Sequence, residues 1–526
     1  MTSAAISPSG ADHAVIVGAG VAGLATAARL AHAGYAVTVL ERHAHTGGKM
    51  RALPSAAGPV AAGPTVLTMR AVFDALFTDC GERLDDHLTL VRQPLLARHF
   101  WPDGSRLDLW DDAERNTEAI ADFAGPRAAA QFRAFDARAR ALFDGFDAPM
   151  MQAPAPRPLD LVRHVMANPG LLRHMAPHRS LAGLLRHSFD DPRLAQLFGR
   201  YATYVGGMPA GVPALLALIW RAESAGVWAV EGGMHRLAEA LAALARRHGA
   251  AIETGAHVER IETAGGAVTG VTLCGGRRLP CTRVVFNGDP RALAAGALGP
   301  DCAHVAPATR RAPRSLSAEV WAFAATPSGA DLAHHNVFFR ADPAPEFAAL
   351  ARGETAPDPT LYVCAMDRGL GTAPPAPERF EIIANAPALA PGAQPARESP
   401  CPTRIFATLA RFGLRFTPEP DRDSLTTPEG FERLFPASLG ALYGQSPHGT
   451  MAAFQRPTAR TPVAGLYLAG GGTHPGAGVP MAALSARHAA EAILSDRIST
   501  STCRPTATRG GISTGSATTV AARSRS

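Results

Sequence analysis

The sequence is poor in lysine, in paired cysteines and in long hydrophobic runs. Lys49 is the only lysine among 51 basic residues, and the seven cysteines include no C-x-x-C pair. Scattered cysteines, odd in number, argue against a disulfide framework, a zinc site or an iron–sulfur cluster, and they favour a reducing compartment. Glycine and proline interrupt the uncharged stretch 201–220 too often for a membrane-spanning helix. No signal-peptide pattern is present, so we expect a cytoplasmic protein.

The net charge of +6 resides mostly in the C-terminal segment. Residues 497–526 contain five arginines and no acidic residue, so the rest of the chain carries a formal charge of only +1. A nucleic-acid-binding protein concentrates basic residues on a folded domain, and we therefore expect no nucleic-acid partner. The same segment is rich in Ser, Thr, Gly and Arg and lacks periodicity, which predicts a disordered tail.

A glycine motif near the N-terminus predicts a nucleotide site. The apolar run 13–17 is typical of a strand buried in a parallel sheet, and Gly18-Ala19-Gly20-Val-Ala-Gly23 follows it directly. Gly18 permits the tight turn, Gly20 lets a pyrophosphate approach the backbone, and Gly23 lets the next helix pack on the strand. The free N–H groups at the start of that helix attract phosphate. This arrangement predicts a Rossmann-type domain.

The residues after the second strand indicate FAD instead of NAD. Glu41 closes that strand, eighteen residues beyond Gly23, where a carboxylate accepts hydrogen bonds from the ribose hydroxyls. Gly47 and Gly48 follow shortly afterwards, and Lys49 adds positive charge beside them. A glycine pair in this position is the extension found in large FAD-dependent oxidoreductases. No second Rossmann motif is present, so no separate NAD(P)H domain is expected.

Two distant segments are predicted to complete the flavin site. Residues 251–261 read as a strand pair whose backbone, near Val258, is placed to contact the adenine. Residues 465–481 pass from a strand through consecutive glycines into a helix that begins near Pro480, a favourable first-turn position for proline. The N-terminus of that helix is suited to stabilise negative charge on reduced flavin.

These motifs resemble the phytoene desaturase family of FAD-dependent carotenoid desaturases. The resemblance covers essentially 13–495 and is carried by 15–51, by Glu231-Gly-Gly-Met-His-Arg-Leu237 and by 466–480, which includes Thr-His-Pro-Gly-Ala-Gly at 473–478. Within the family, Asp147-Ala-Pro-Met-Met151 is most similar to the 1-hydroxycarotenoid 3,4-desaturases. The loop at 62–65 departs from the usual family pattern, which leaves the isoalloxazine contacts there open. The expected FAD contacts are Gly18, Ala19, Gly20, Gly23, Glu41, Arg42, Gly48, Lys49, Val258, Gly471, Gly478 and Val479.

The resemblance implies an activity and leaves rivals open. The implied reaction transfers a hydride from the carotenoid to FAD and forms a C3–C4 double bond, with oxygen or a quinone as the final electron acceptor. Phytoene or neurosporene desaturation is the nearest alternative. A flavin amine oxidase is a weaker alternative. Such enzymes often use a lysine near the flavin and an aromatic cage, whereas the only lysine here, Lys49, lies in the nucleotide-binding part and tyrosine is scarce. A non-catalytic isoprenoid-binding carrier of the same fold is the alternative from another class.

The implied fold class is α/β, with the Rossmann-type FAD domain intertwined with a substrate domain and a helical cap, as in the amine oxidase/phytoene desaturase fold. The expected segments are FAD-binding 1–100, a substrate-binding, helical and membrane-facing region 101–224, FAD-binding 225–300, a substrate domain 301–460, FAD-binding 461–496 and the tail 497–526.

Two further hypotheses concern the substrate. Residues 161–189 repeat apolar-Arg-His fragments and contain no acidic residue, which suits peripheral contact with an anionic membrane on its cytoplasmic face; a buried helical cap with solvated arginines is the alternative. Glu231 is a candidate general base, since a carboxylate in an apolar cleft has a raised pKa; a polar role beside the cofactor is the alternative. No metal site is expected.

Overall fold

The computed structural model describes residues 13–392 and 403–502, in which strands and helices alternate. The strands are β1 (His13–Val17), β2 (Ala36–Glu41), β3 (Ala52–Leu53), β4 (Val60–Ala61), β5 (Leu90–Arg92), β6 (Leu95–Phe100), β7 (Arg106–Trp110), β8 (Trp228–Val230), β9 (Ala251–Thr254), β10 (Val258–Ala264), β11 (Ala267–Leu273), β12 (Arg278–Pro280), β13 (Arg283–Phe286), β14 (Ser317–Ser328), β15 (His335–Phe338), β16 (Leu361–Ala365), β17 (Glu378–Ala386), β18 (Arg415–Thr417), β19 (Leu425–Thr426) and β20 (Leu466–Leu468).

The described ranges contain fifteen α-helices, and seven of them follow one another between residues 113 and 224. They are α1 (Val21–His32), α2 (Arg70–Asp79), α3 (Ala113–Ala124), α4 (Pro126–Phe146), α5 (Pro158–Ala167), α6 (Pro169–Met175), α7 (Leu181–Ser188), α8 (Pro192–Gly199), α9 (Leu218–Ser224), α10 (His235–Arg247), α11 (Pro290–Ala294), α12 (Ala344–Ala351), α13 (Thr403–Arg411), α14 (Pro428–Leu434) and α15 (Val479–Thr502).

A parallel five-stranded sheet with the order β20-β13-β1-β2-β9 forms the nucleotide-binding layer. Its strands come from three distant parts of the sequence, as the distribution of the flavin motifs predicts. Residues Ala14, Val15 and Ile16 of β1 are fully buried, since a central strand of a parallel sheet is covered on both faces. The predicted α/β class with a Rossmann-type core is confirmed.

Helix α1 is packed so closely that it tolerates mostly small side chains. It contacts both α10 and α15, and ten of its twelve residues are buried. Alanines 27, 28 and 31 belong to this core together with alanines 486, 489 and 490 of α15. Because α15 is the last described helix, its packing on α1 joins the C-terminal motif to the N-terminal one.

An eight-stranded, mostly antiparallel sheet forms the second layer, with the order β18-β14-β17-β16-β15-β6-β7 and β19 paired to β14. Strands β6 and β7 flank the predicted domain boundary at residue 100, and both join this sheet, β6 by parallel pairing with β15. The exact segment limits given above stay a prediction.

Helices α3 to α9 form a third layer around an aromatic core. Phe132, Phe198 and Trp220 are at most 1% exposed, and the ring centroids of Phe198 and Trp220 lie 5.4 Å apart in an edge-to-face arrangement. Aromatic side chains bury a large area each and prefer such geometry. In the ranges that the structure covers, no helix combines the length and apolarity required to cross a bilayer.

Two expectations about local structure are corrected. Residues 251–261 do not form a strand pair, because β9 pairs with β2 and β10 pairs with β11 in a different sheet. Helix α15 continues to Thr502, so disorder is wrong for 497–502, where the Arg497 guanidinium lies 5.0 Å from the centre of the Tyr35 ring. The rest of the predicted tail, 503–526, lies outside the described residues.

Candidate functional site

A cavity of about 970 Å³ lies where the three layers meet. The motifs at 17–22, 40–50, 256–258, 286–289 and 470–482 line one part of it, and mainly apolar side chains of the helical layer and the second sheet line the other. A single cavity therefore has a backbone-rich part suited to a nucleotide and an apolar part suited to a lipophilic molecule.

The first glycine motif forms a tight turn between β1 and α1. Gly18 has φ of +101°, a conformation in which glycine avoids strain, and its N–H donates to the Leu40 carbonyl at 2.8 Å. Gly20 precedes α1 in extended conformation, and no side chain caps that helix. The N–H groups of its first turn consequently face a cavity lined by Gly20 and Val21, which suits a pyrophosphate.

The carboxylate of Glu41 fixes the loop around this turn. Its Oε2 accepts from the Ala19 N–H at 2.7 Å and its Oε1 accepts from the His43 N–H at 2.9 Å. Glu41 is only 4% exposed but lines the cavity. Each carboxylate oxygen has a second lone pair, so the group remains able to accept hydrogen bonds from ribose hydroxyls, as a bound FAD requires.

Several glycines allow backbones to approach one another at the turn. A Cβ placed on Gly23 would lie 2.1 Å from the Gly18 carbonyl oxygen, and a Cβ on Gly48 would lie 3.1 Å from the Gly20 Cα. The Gly47 N–H also donates to the Ala19 carbonyl at 2.8 Å. The residues present therefore form a compact cradle that fits an FAD diphosphate and its ribose.

Hydrogen bonds with two side chains outside the C-terminal glycine segment, residues 470–478, fix its backbone. Arg456, buried at 9% exposure, donates from Nη1 to the Gly471 carbonyl at 2.7 Å, and from Nη2 to two carbonyls of the 443–445 loop at 3.0 Å. Ser485 Oγ accepts from the Gly470 N–H at 3.1 Å. These contacts place residues 470–478 at the start of α15, where the helix dipole favours negative charge.

Basic side chains surround a single buried carboxylate beside this segment. Arg314 forms a buried ion pair with Asp289, and Lys49 donates to the Leu442 carbonyl. Burial is the main cause that lowers the pKa of Lys49 to about 8; Asp289 opposes this effect, and Arg314 and Arg456 add to it. Burial also lowers the pKa of Arg456 to about 10. The local excess of basic groups is suited to negative charge that develops on a bound cofactor.

Most predicted cofactor contacts lie together along the cavity. Its lining includes Gly18, Gly20, Glu41, Arg42, Gly48, Lys49, Val258, Gly471, Gly478 and Val479. Ala19 and Gly23 lie behind it, where they shape the turn. Glu231 is exposed and is not among the lining residues, so the structure does not bring this proposed base to the cavity.

Sequence reasoning missed residues whose partners are distant in the chain. The Asn287 side chain donates to the Gly18 carbonyl at 3.2 Å and so links β13 to the nucleotide turn; its position after a predicted strand was the available signal. Arg456 and Arg200, which both line the cavity, follow no recognisable motif.

The chain is similar to flavin enzymes by three comparisons. Residues 21–322 and 436–494 match the family described as flavin containing amine oxidoreductase. Hydroxyneurosporene desaturase of Cereibacter sphaeroides is 57% identical over 93% of this chain and 98% of that protein, and the protein of the same name from Rhodobacter capsulatus is 53% identical over 92% and 98%. Putrescine oxidase, solved with putrescine bound, has a TM-score of 0.56 at 16% identity, covering 92% of this chain and 99% of that chain; this likeness concerns the fold alone.

Replacing Gly23 by alanine should weaken FAD binding at least about tenfold, because the new Cβ would meet the Gly18 carbonyl and overpacking of this kind costs about 1–3 kcal/mol. The flavin absorbance of purified protein per polypeptide measures the effect. Gly170→Ala is the matched control, since a Cβ there meets no atom within 4 Å. Equal flavin content in the two variants would contradict this account of the turn.

The buried amine of Lys49 should make stability depend on pH. The pKa of Lys49 is about 8 in the folded protein and 10.5 ordinarily. Between pH 8 and pH 10.5 its amine is therefore mostly protonated in the unfolded chain and mostly neutral in the folded protein. The unfolding free energy of the wild-type apoprotein, relative to Lys49→Met, should therefore rise by about 1–3 kcal/mol from pH 8 to pH 10.5. Urea denaturation across this range tests it, and a difference that stays constant or falls would refute it.

Proposed function

The chain belongs to the family of flavin-containing amine oxidoreductases, and on that premise we propose that it is an FAD-dependent carotenoid desaturase. Its substrate is a 1-hydroxycarotenoid such as 1-hydroxyneurosporene, in which it forms the C3–C4 double bond. The observation that carries the proposal is the 57% identity to a hydroxyneurosporene desaturase over 93% of the chain. The continuous cavity with a nucleotide part and an apolar part supports it.

The protein's own residues bind and orient the reactants. FAD, when bound, supplies the hydride acceptor. We infer that Gly18, Gly20 and the start of α1 hold its diphosphate, that Glu41 holds its ribose, and that 470–479 lies against its flavin end. The apolar lining excludes water from the polyene, and the basic groups around Asp289 favour the charge that the reaction creates. Oxygen or a quinone is the proposed final electron acceptor.

An apolar patch on α5 and α6 is the proposed membrane contact. Leu159, Val162, Met166 and Leu172 are exposed by 52–73%, and these are four of the five markedly exposed large apolar side chains in the described ranges. Arg157 and Arg163, with side chains 82% and 71% exposed, lie beside them and share the single carboxylate of Asp160 in salt bridges. Apolar side chains next to arginines suit an anionic bilayer surface.

The same two helices reach the cavity. Leu161 of α5 and Met175 of α6 line it, together with Phe146 at the end of α4. By contrast, Leu181, Leu184 and Leu185 of α7 are at most 2% exposed, so the proposed contact comprises α5 and α6 alone. A substrate dissolved in lipid would enter between these helices without crossing water.

The function is tested with FAD-loaded protein in liposomes. Phytoene, neurosporene and 1-hydroxyneurosporene are offered separately, with and without oxygen or a quinone, and products are separated by chromatography with absorbance detection. We expect a red shift corresponding to one additional conjugated double bond with the hydroxylated substrate. Conversion of phytoene instead would favour the general desaturases, and no conversion of any carotenoid with any acceptor would refute the proposal.

Replacing Leu159, Val162, Met166 and Leu172 by serine should reduce binding to anionic vesicles at least about tenfold, because each buried apolar side chain contributes roughly 1 kcal/mol or more. Vesicle flotation at low salt measures the bound fraction. Met451→Ser is the control, since Met451 is 48% exposed on a different segment. Flotation of the quadruple variant at the wild-type level would exclude α5–α6 as the contact.

A further inference from the structure

A cluster of polar side chains interrupts the apolar part of the cavity. Arg200 and Tyr204 lie on a short 3₁₀ helix, Arg200–Val205, that follows α8, and Tyr362 extends from β16. All three line the cavity, as does Thr65. Such groups are costly in an apolar site unless they form hydrogen bonds, so their presence there requires an explanation.

The guanidinium of Arg200 retains unused donors. Among the described residues it donates only to the Tyr204 hydroxyl, from Nη2 at 2.6 Å and from Nη1 at 3.2 Å. A guanidinium offers five N–H groups, and no carboxylate of the described ranges forms a salt bridge with this one. The cluster therefore has a charged donor group that is free to bind a further oxygen.

An acceptor lies behind the donors. Glu223 of α9 is 3% exposed, and its Oε1 accepts from the Tyr201 hydroxyl at 2.7 Å, whereas its Oε2 is buried with no hydrogen-bond partner. Burial lowers the pKa of Arg200, but the neighbouring groups, with Tyr204 and Glu223 first among them, together raise it above its usual value. The cluster thus keeps a stable positive charge next to the cavity.

Hydrogen bonds connect the cluster to residues 63–65, which pack against the proposed FAD-binding loop at Lys49. The Tyr362 hydroxyl forms hydrogen bonds with Thr65 Oγ1 at 2.7 Å and with His335 Nδ1 at 2.6 Å. Thr65 follows Gly63 closely, and a Cβ on Gly63 would lie 2.0 Å from the Lys49 carbonyl oxygen. The Arg200 guanidinium carbon lies 5.9 Å from the centre of the Tyr362 ring. The polar groups thus lie near the loops that we assign to FAD.

We propose that Arg200 and Tyr204 form a subsite that binds the C1 hydroxyl of the substrate and so makes the protein selective for hydroxylated carotenoids. The inference rests on the proposed function. In the substrate this hydroxyl is the only polar group on an otherwise hydrocarbon chain. Because a carbon–carbon bond measures about 1.5 Å, C1 lies within about 4 Å of C4, so the hydroxyl must be bound close to the reacting carbons.

A second polar group on the cavity wall is a poorer candidate. Glu346 also lines the cavity, but its two oxygens accept from the Thr360 N–H at 2.9 Å and from Asn385 Nδ2 at 3.1 Å. Its hydrogen bonds are thus made within the protein, and burial raises its pKa. The Arg200 cluster differs because it retains both a donor and a nearby acceptor.

The test measures the preference for 1-hydroxyneurosporene over neurosporene as a ratio of kcat/KM values in a competition assay. A site built to bind a substrate hydroxyl discriminates strongly against a substrate that lacks it. Tyr204→Phe and Arg200→Met should each lower this preference about 10- to 100-fold, chiefly through the hydroxylated substrate. Arg200→Lys, which keeps a charged donor, should restore part of it.

Tyr467→Phe is the matched control, since it removes the hydroxyl of a buried tyrosine that is 5% exposed, donates to Asp496 and is not among the lining residues. Flavin absorbance confirms that each variant holds FAD. The proposal is overturned if the two cluster variants keep the wild-type preference within threefold, or if Tyr467→Phe lowers it equally.

A binding experiment separates this inference from the proposed function. The affinities of a long-chain tertiary alcohol and of the alkane with the same skeleton are compared by intrinsic tryptophan fluorescence, which requires no turnover. We expect the alcohol to bind more tightly to the wild type, with most of that advantage lost in Tyr204→Phe. If no carotenoid is converted but this difference is found, the function fails and the hydroxyl subsite stands; equal affinities for both ligands overturn the subsite.

Discussion

Close approach of backbones at the carboxyl ends of β1 and β2 is the constraint on which the rest of the site depends. The Gly23 Cα lies so near the Gly18 carbonyl that no Cβ fits between them, and a Cβ on Gly48 would lie 3.1 Å from the Gly20 Cα. The Glu41 carboxylate ties the Ala19 N–H into this arrangement. Once these segments are in place, the first turn of α1 and the second glycine loop face the same space, and that space has the shape of a diphosphate site.

The packing of α1 transmits this constraint to the C-terminal motif. Because small residues of α1 and α15 belong to one core, the start of α15 is fixed relative to the start of α1. Arg456 then holds the intervening glycine segment from the opposite side through the Gly471 carbonyl. Two helix N-termini, far apart in the chain, consequently reach the same cavity, and a helix N-terminus favours negative charge.

The nucleotide half of the site could be predicted from the sequence because its determinants are local. The order strand, glycine motif, helix, strand and Glu41 describes one continuous unit, and each glycine has a conformational reason visible in the motif itself. The pairing of 251–261 could not be predicted, because strand neighbours are chosen by tertiary packing. The position of α15 is likewise set by its packing on α1, and the composition of the last thirty residues contains no information about that contact.

The substrate half was less accessible to sequence reasoning for a physical reason. Arg200 and Tyr204 are four residues apart, but Tyr362 lies far away in the sequence and comes close to them only because the second sheet folds there. In addition, a charged residue in a loop-rich segment is normally interpreted as a solvated surface residue. Glu231 illustrates the opposite case: it stands beside two glycines in a recognisable motif, yet its side chain is exposed. Motif membership places backbone near a cofactor but does not determine where a side chain points.

The two ends of the apolar space impose opposite requirements on a ligand. At the α5–α6 end, exposed leucine, valine and methionine side chains favour a molecule that leaves lipid without meeting water. In the interior, the unused donors of Arg200 favour a molecule that brings a polar group. A pure hydrocarbon satisfies the first requirement and leaves the second unmet, because it offers no acceptor to the remaining donors of the Arg200 guanidinium. A polyene with a hydroxyl at its end satisfies both requirements. The hydrogen bonds of that hydroxyl then fix the position of the neighbouring carbons. Selective reaction at one bond of a long and otherwise repetitive chain requires such positioning.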